Sequence, residues 1–149
     1  MRVDEFLESI ARLMPPREDL RYSSYEELVL DYGTRYTEVR LDVSGPIKEC
    51  FTNAYHAAEG NGWTYVEGYA DSVIPVQHAW CLDGDGIVVE TTWETPGTEY
   101  FGVPLSTEWV GRVVAENGYW GVLGNDWLRD AVLLREGFPT EALAYLDAV

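Results

Sequence analysis

Between Gln77 and Trp93 the chain reads QHAWCLDGDGIVVETTW. The first part alternates in side-chain character as a half-buried β-strand does, and residues 87–89 form a β-branched run that is typical of a second strand. The Asp-Gly-Asp-Gly sequence at residues 83–86 separates the two runs and favours a tight turn. The stretch therefore predicts a β-hairpin, with His78 on its first strand and Glu90 on its second.

A histidine and a carboxylate on neighbouring strands suggest a catalytic pair, because a general-base histidine needs a group that fixes its tautomer and stabilises the imidazolium. The candidate nucleophile is Cys50. The preceding residues, Gly45-Pro46-Ile47, are typical of a helix start and place Cys50 in the first or second helical turn. Because a helix N-terminus favours a thiolate, we expect this position to activate Cys50.

The order and spacing of these motifs resemble the transglutaminase-like branch of the papain-like cysteine enzymes. The matching pieces are Cys50 at a helix start, a strand that ends near Gly68-Tyr69, the sequence His78-Ala79-Trp80, and VETTW at residues 89–93. The resemblance covers about residues 44–103 and implies that Cys50, His78 and Glu90 form a catalytic triad. Where the family has Asp followed by Pro, this chain has Glu90 followed by Thr91, so its carboxylate is one methylene further from the backbone.

The resemblance implies one α+β domain over residues 1–149, with a papain-like or transglutaminase-like core at about residues 44–103. In that core, the helix that begins near Cys50 packs on a small, mainly antiparallel sheet. Residues 1–43 and 104–149 would form flanking, largely helical elements. A chain of 149 residues with 46% hydrophobic content is large enough to bury a single core.

Local patterns predict the remaining elements. Apolar spacing predicts a helix over Val3–Met14, and Ser24 with Glu27 predicts a capping box that opens a second helix. A helix over residues 46–59 would bury Ile47, Phe51, Ala54 and Ala58 on one face. We further expect strands at residues 36–43 and 63–70, a loop or short edge strand at 95–104, a helix at 107–117, and short helices at 126–135 and 140–147.

The chain is strongly acidic, with 26 Asp and Glu against 10 Lys and Arg and a formal charge of -16. This charge repels nucleic acids and anionic membrane surfaces, so neither is an expected partner. It favours neutral or cationic substrates such as basic peptides or amines, although it would equally serve solubility. The N-terminal residues turn acidic at once and lack a secretory apolar core, which favours a cytoplasmic protein. Two cysteines also cannot build a disulfide scaffold.

The sequence gives weaker support to a metal site or to a second catalytic histidine. A zinc site from Cys50, His56, His78 and Cys81 is disfavoured because His78 and Cys81, three apart on a strand, face opposite ways. The Asp-Gly-Asp-Gly sequence lacks the further oxygen ligands of a calcium loop, so we expect no metal and no cofactor. His56 falls on the polar side of its helix and is a poor base.

The sequence does not decide which residues donate to the oxyanion or which group orients His78. The backbone N–H of Cys50 is the natural oxyanion donor, and the amides nearest in sequence are Gln77 and Asn53. Thr91 or Thr92 is an alternative to Glu90 as the group that orients His78.

Two functions remain as hypotheses. In the first, the protein is a cysteine-dependent amide or acyl hydrolase or transferase, a thiol protease, deamidase or transglutaminase-like enzyme, that acts on a peptide or protein with an amide or glutamine group. In the second, it is a catalytically inactive domain that binds a peptide or protein through aromatic side chains. The candidates for that surface are Trp93, Tyr100, Phe101, Trp109 and Trp120.

The proposed pairing also fixes the register of the hairpin. Cross-strand neighbours share a face, so His78 and Glu90 meet only if the numbers of paired residues add to an even total. A loop of residues 84–86 with Gly86 in a left-handed conformation gives pairs such as Trp80 with Glu90, which sets Glu90 diagonal to His78. A loop of residues 83–85 would instead set the two directly opposite. We expect one of these odd-length turns, and a regular two- or four-residue turn would remove Glu90 from the site.

Overall fold

Residues 2–144 are the part of the chain that the computed structural model describes. They form, in order, α1 (Val3–Leu13), α2 (Tyr25–Tyr32), β1 (Thr34–Tyr36), β2 (Val39–Leu41), α3 (Cys50–Asn61), β3 (Thr64–Asp71), β4 (Pro75–Leu82), β5 (Val88–Glu90), β6 (Tyr100–Leu105), α4 (Thr107–Asn117) and α5 (Val132–Glu136). Short 3-10 helices lie at Asp126–Arg129 and Thr140–Ala142. None of these helices combines the length and the apolar composition that are needed to cross a membrane.

The six strands form one mixed sheet in the order β1-β6-β3-β4-β5-β2. Every neighbouring pair is antiparallel except β2 and β5, which run parallel. The longest ladder joins β3 to β4 over eight paired positions, from Thr64–Leu82 to Asp71–Pro75. The expected α+β class with a mainly antiparallel sheet is therefore confirmed.

The sheet must curl, because its two edge strands are consecutive in the chain. Only Thr37 and Glu38 separate β1 from β2. Three residue steps span at most about 11 Å. Five strand spacings in a flat sheet would place the edges about 24 Å apart. The curl brings the two edges together and creates an inner and an outer face.

The apolar core divides between these two faces. The inner cluster takes residues from all six strands and none from a helix: Tyr36, Val39, Val66, Ala70, Trp80, Leu82, Val88, Trp93 and Tyr100. The larger cluster joins the helices to the outer face. It includes Ala54, Ala57 and Ala58 of α3 together with Ala79 and Cys81 of β4. Successive residues of β4 thus point alternately into the curl and out to α3.

The central hairpin has the expected odd-length turn. Cys81 pairs with Val89 and Leu82 with Val88, while the N–H of Asp83 donates to the carbonyl of Ile87 at 3.0 Å. The loop is therefore residues 84–86, with Gly86 at φ 76°. The register prediction is confirmed in its first form, because the two observed pairs have the register that sets Trp80 opposite Glu90 and Glu90 diagonal to His78, although the ladder itself ends at Cys81 and Val89.

Capping residues define two of the helices as expected. The Ser24 hydroxyl accepts from the N–H of Glu27 at 3.1 Å, and the Glu27 carboxylate accepts from the N–H of Ser23 at 3.1 Å. Helix α4 begins after Ser106, whose hydroxyl accepts from Trp109 N–H. It ends at Gly118, which has φ 77°. Helix α3 likewise ends at a glycine in the left-handed region, Gly62, which has φ 67°.

Several predicted boundaries are wrong. The strand expected at residues 36–43 is instead two short strands at opposite edges of the sheet. The segment at residues 95–104 supplies β6, which lies between β1 and β3 and is not at an edge. Residues 126–135 form a 3-10 helix and a separate short helix, α5. Residues 140–142 are a 3-10 turn, and the rest of the helix predicted to 147 extends beyond the described residues.

Helix α3 begins at Cys50, four residues later than predicted. Lys48 adopts φ 73°, a left-handed conformation that cannot continue a right-handed helical turn. Ile47 therefore lies in an exposed loop and is 75% exposed, so its predicted place on the buried face is wrong. Phe51, Ala54 and Ala58 do pack against the outer core as expected.

The close approach of β3 and β6 can be tested at Gly68. A Cβ on Gly68 would lie 2.2 Å from the carbonyl oxygen of Phe101 and 2.4 Å from Cα of Gly102, both backbone atoms. We expect Gly68→Ala to lower the free energy of unfolding by about 2 kcal/mol or more, measured by urea denaturation. Gly60→Ala in α3 is the matched control, since nothing lies within 4 Å of its Cβ position. It should stabilise the protein by about 0.5–1 kcal/mol. Equal stability of the two variants would contradict the packing of β3 on β6.

Candidate active site

Glu90 lies at the end of β5 with its side chain inside the curl and no exposed surface. Its carboxylate accepts four hydrogen bonds. Oε1 accepts from His78 Nε2 and from the Tyr100 hydroxyl, both at 2.7 Å. Oε2 accepts from the backbone N–H groups of Thr92 at 2.9 Å and Trp93 at 3.0 Å. Hydrogen-bond donors of the protein thus take the place of water at both carboxylate oxygens.

The donors determine the charge of Glu90. Burial by itself would raise the pKa of this carboxyl, but the hydrogen bonds from His78, Trp93 and Tyr100 outweigh burial and hold the pKa below its usual range. The side chain is therefore a carboxylate at neutral pH. Because a carboxylate accepts only, His78 donates through Nε2–H. In the neutral ring, Nδ1 is then the free acceptor.

The His78 ring is enclosed by aromatic side chains. It stacks on Trp93 with ring centroids 3.6 Å apart and an interplanar angle of 12°. Trp80 and Tyr100 lie further out, at 6.1 and 6.3 Å between centroids. The side chain is only 1% exposed. Glu90 and the Trp93 stack together hold the ring in one orientation.

Cys50 is the first residue of α3 and is partly buried. The backbone N–H of Ala79 lies close enough to its sulfur to favour the thiolate. Ala79 follows His78 in β4, so the thiol lies beside the peptide bond that joins these two residues. The ladder between β4 and β5 stops at Cys81 and Val89, which leaves Ala79 with a strand partner only on the β3 side. Cys50 therefore sits at the opening between β4 and β5.

The electrostatics of Cys50 differ from expectation. The pKa of this thiol is raised to about 11, mainly by burial and to a smaller extent by the carboxylates of Glu67 and Glu90. The N–H groups of Ala79 and Phe51 act in the opposite direction but do not compensate. The helix N-terminus thus does not yield a resting thiolate, because desolvation and two nearby negative charges are stronger.

The structure brings together the three predicted site residues only in part. His78 and Glu90 are hydrogen-bonded, and Cys50 is beside the backbone of residue 78. Within residues 2–144, no hydrogen bond joins the Cys50 sulfur to the His78 ring, whose one hydrogen bond is to Glu90. The ring projects into the curl with Trp80, while α3 packs on the outer face.

The alternative supporting residues are used elsewhere. Asn53 donates to the Pro46 carbonyl at 2.9 Å and to the Thr92 hydroxyl at 3.0 Å, so its amide braces the loop before α3. Gln77 is exposed and reaches only the Tyr69 hydroxyl, at 3.5 Å. The Thr91 hydroxyl is buried and has no partner within the described residues. Neither threonine hydroxyl bonds His78, and within residues 2–144 Glu90 is the hydrogen-bond partner of the ring.

A second buried carboxylate, Glu67, was not anticipated from the sequence. It lies on β3 directly opposite Ala79 and is 1% exposed. It accepts from the N–H groups of Val122 and Leu123 and from the Tyr65 hydroxyl, at 2.8 to 3.1 Å. Glu67 lies between Tyr65 and Tyr69 on one face of β3, and these apolar neighbours are the local signal for a buried position. Its backbone partners, Val122 and Leu123, are 55 and 56 residues away and give no local signal.

A groove of about 510 Å³ lies next to this arrangement. One wall is the exposed loop before α3, and the other is the segment that follows Glu90. Its lining residues are Val43, Gly45, Ile47, Ser72, Thr92, Trp93, Glu94 and Thr95. Trp93 connects the groove to the site because the same ring stacks on His78. Gly45 has φ 86°, and its missing Cβ leaves room for the Asn53 amide, so this wall requires glycine there.

The other candidates have structural positions. Cys81 is fully buried and donates to the Ala54 carbonyl at 3.1 Å. His56 is exposed on α3, as expected, with its ring 5.4 Å from that of Trp120. Asp83 accepts from two N–H groups of the turn and pairs with Arg40. In the part of the chain that is described, no group of three His, Cys, Asp or Glu side chains is placed to hold a metal ion.

The five aromatic candidates do not form one exposed surface. Tyr100 is fully buried and Trp109 is 4% exposed. Phe101 and Trp93 are partly buried against the two cores. Only Trp120, at 37%, is among the exposed large side chains.

The buried pair makes stability depend on pH through Glu90. A carboxyl whose pKa is lowered on folding stabilises the protein fully above its unfolded pKa, and this contribution is lost as the pH falls through the folded pKa. We expect Glu90→Gln to cost about 3 kcal/mol at pH 7, because it breaks a buried charged network. The loss should be smaller at pH 3.5, measured by urea unfolding at both values.

The matched control is Glu94→Gln, which removes an exposed carboxylate four residues away. It should change stability by less than about 0.5 kcal/mol at either pH. A Glu90→Gln penalty that is the same at both pH values would contradict an ionised Glu90 with a lowered pKa.

Comparisons of the chain with protein-family models, with curated proteins and with solved structures found no match. The transglutaminase-like resemblance therefore rests on the sequence motifs, and the site rests on its own geometry.

Proposed function

We propose that the protein is a cysteine-dependent amide or acyl hydrolase or transferase, with a core related to the transglutaminase-like branch of the papain-like enzymes. Cys50 is the nucleophile, His78 the general base and Glu90 the group that orients His78. The observation that carries the proposal is the 2.7 Å hydrogen bond from His78 Nε2 to a four-fold bonded Glu90. It leaves Nδ1 as the proton acceptor.

The reaction begins with a neutral thiol. With a pKa of about 11, only about one Cys50 in ten thousand is ionised at pH 7. The proton of Cys50 must therefore move to His78 Nδ1 as the sulfur bonds to the substrate carbonyl carbon. The C–N bond then breaks, the leaving amine takes the proton from His78, and a thioester remains. Water or a second amine attacks the thioester and frees the thiol.

The groove supplies the place where the substrate approaches. Val43, Ile47 and Trp93 offer apolar contacts, and Glu94 adds a negative charge at the exposed rim. A peptide or protein amide with a neutral or basic neighbourhood fits this lining better than an acidic one. A nucleophile–base hydrogen bond commonly tightens only in the substrate complex, and the proposal requires this closure of Cys50 towards His78.

The proposal includes a cytoplasmic location. Cys50 and Cys81 are both free thiols. A reducing compartment would keep the nucleophile available.

A second function is favoured by one observation. The His78 ring is 1% exposed and covered by Trp93, which also suits a structural histidine in an inactive binding domain. Iodoacetamide labelling of the folded protein separates the two functions. Selective modification of Cys50 that His78→Asn slows supports the enzyme, and a thiol that is inert until the protein unfolds supports the binder.

The central test is a pair of substitutions, one at Cys50 and one at His78. Cys50→Ala should abolish ammonia release from a blocked Gln-Gly dipeptide, with or without hydroxylamine as acceptor, because the proposed mechanism has no other nucleophile. His78→Asn should lower the rate about a thousand-fold or more. Both variants should retain the circular dichroism spectrum and cooperative unfolding of the original protein.

Cys81→Ser is the matched control, since Cys81 is buried on the outer face, two residues beyond Ala79. It should retain activity within about three-fold of the original when assayed below its unfolding temperature. Activity that survives Cys50→Ala, or that is lost with Cys81→Ser alone, would contradict the mechanism.

A further inference from the structure

Glu67 occupies an unusual position for a carboxylate. Its side chain lies on the same face of the sheet as that of its cross-strand partner Ala79, which belongs to the outer core. This is the face on which α3 packs. The N–H of Ala79 in turn lies close enough to the Cys50 sulfur to favour its thiolate. Burial raises the pKa of Glu67, and the hydrogen bonds from Val122, Leu123 and Tyr65 act in the opposite direction. All the partners of Glu67 within residues 2–144 donate to it, which is the bonding pattern of an ionised carboxylate. In that state Glu67 places a negative charge near the thiol, and none of the ion pairs within residues 2–144 involves Glu67.

The same carboxylate holds a loop against the site. Residues 119–125 follow α4, and the N–H groups of Val122 and Leu123 bind Glu67. Gly121 packs against Phe51, since its Cβ position is 3.4 Å from the Phe51 ring. The Gly124 Cβ position is likewise 3.4 Å from the Gln77 side chain. The loop therefore borders Cys50 on one side and the strand that carries His78 on the other.

We propose that Glu67 is a positioning residue of the Cys50 site, which fastens residues 119–125 beside the first turn of α3 and restrains the reactivity of the thiol. The inference deepens the proposed function and rests on Cys50 as its nucleophile. The titratable groups that act on the thiol or are acted on by it are Glu67 and Tyr65 from β3 and Glu90 from β5. Of these, only Glu67 also binds the loop.

The test measures the rate of Cys50 alkylation by iodoacetamide between pH 7 and pH 12, with the modified peptide identified by mass spectrometry. Glu67→Gln removes the negative charge and places an amide against the N–H groups of Val122 and Leu123. The midpoint of the alkylation profile should fall by about one pH unit, because the thiolate loses a like-charged neighbour. Chymotryptic cleavage after Tyr119 or Trp120 should become faster, because the loop loses its anchor.

Asp126→Asn is the matched control. Asp126 is also 1% exposed and also anchors backbone, through Leu133 N–H, and binds the Tyr25 hydroxyl at 2.8 Å. It should lose stability as Glu67→Gln does, yet leave the alkylation midpoint unchanged. An unchanged midpoint in Glu67→Gln, or an equal shift in both variants, overturns the proposal.

If Glu67→Gln does not fold, Glu67→Asp gives a second measurement. It keeps the charge but withdraws the oxygens by one methylene from the loop. Faster chymotryptic cleavage, with the midpoint within about 0.3 pH units of the original, supports the proposal. Cleavage at the original rate overturns it. Alkylation needs no turnover, so these results are separate from the activity of Cys50→Ala.

Discussion

A charged Glu90 buried inside the curled sheet constrains the rest of the structure. A carboxylate without water is costly unless every lone pair finds a donor, and here four donors come from β4, β6 and the chain after β5. Their convergence requires the curl, which brings Tyr100 and His78 to the same point. It also requires the sharp departure of Thr92 and Trp93 from β5. Removing any one donor leaves charge uncompensated.

The curl separates Cys50, the proposed nucleophile, from His78, the proposed base. Helix α3 packs outside the sheet while His78 and Glu90 lie inside, so Cys50 can approach the histidine only where the sheet opens. That opening exists because β5 pairs with β4 over two positions and then leaves. Ala79 has no partner on the β5 side, and its backbone N–H acts on the Cys50 thiol. The short β4–β5 ladder is thus as important to the site as the side chains themselves.

Local chemistry made some of the fold predictable from sequence. The turn glycines and the alternation of side chains between the two faces of a strand predicted the register of the hairpin. Local sequence patterns at their ends predicted α2 and α4. Other predictions were wrong because they depend on tertiary structure. The single strand predicted at residues 36–43 is instead divided into β1 and β2, because the sheet curls and these two strands form its opposite edges. The pKa of Cys50 depends on burial and on Glu67, which a helix-start motif does not reveal. The proximity of Cys50 to residue 78 followed from motif order alone.

The state of the His78 ring provides the most direct test of a Glu90-oriented base. The chain has two histidines, and His56 is exposed, so ¹⁵N chemical shifts of the ring nitrogens can be assigned with His56→Gln alone. When the ring is neutral, the expected spectrum shows a protonated Nε2 and an unprotonated Nδ1 for His78. A ring protonated at Nδ1 and bare at Nε2 would contradict the hydrogen bond to Glu90 and leave Cys50 without a proton acceptor.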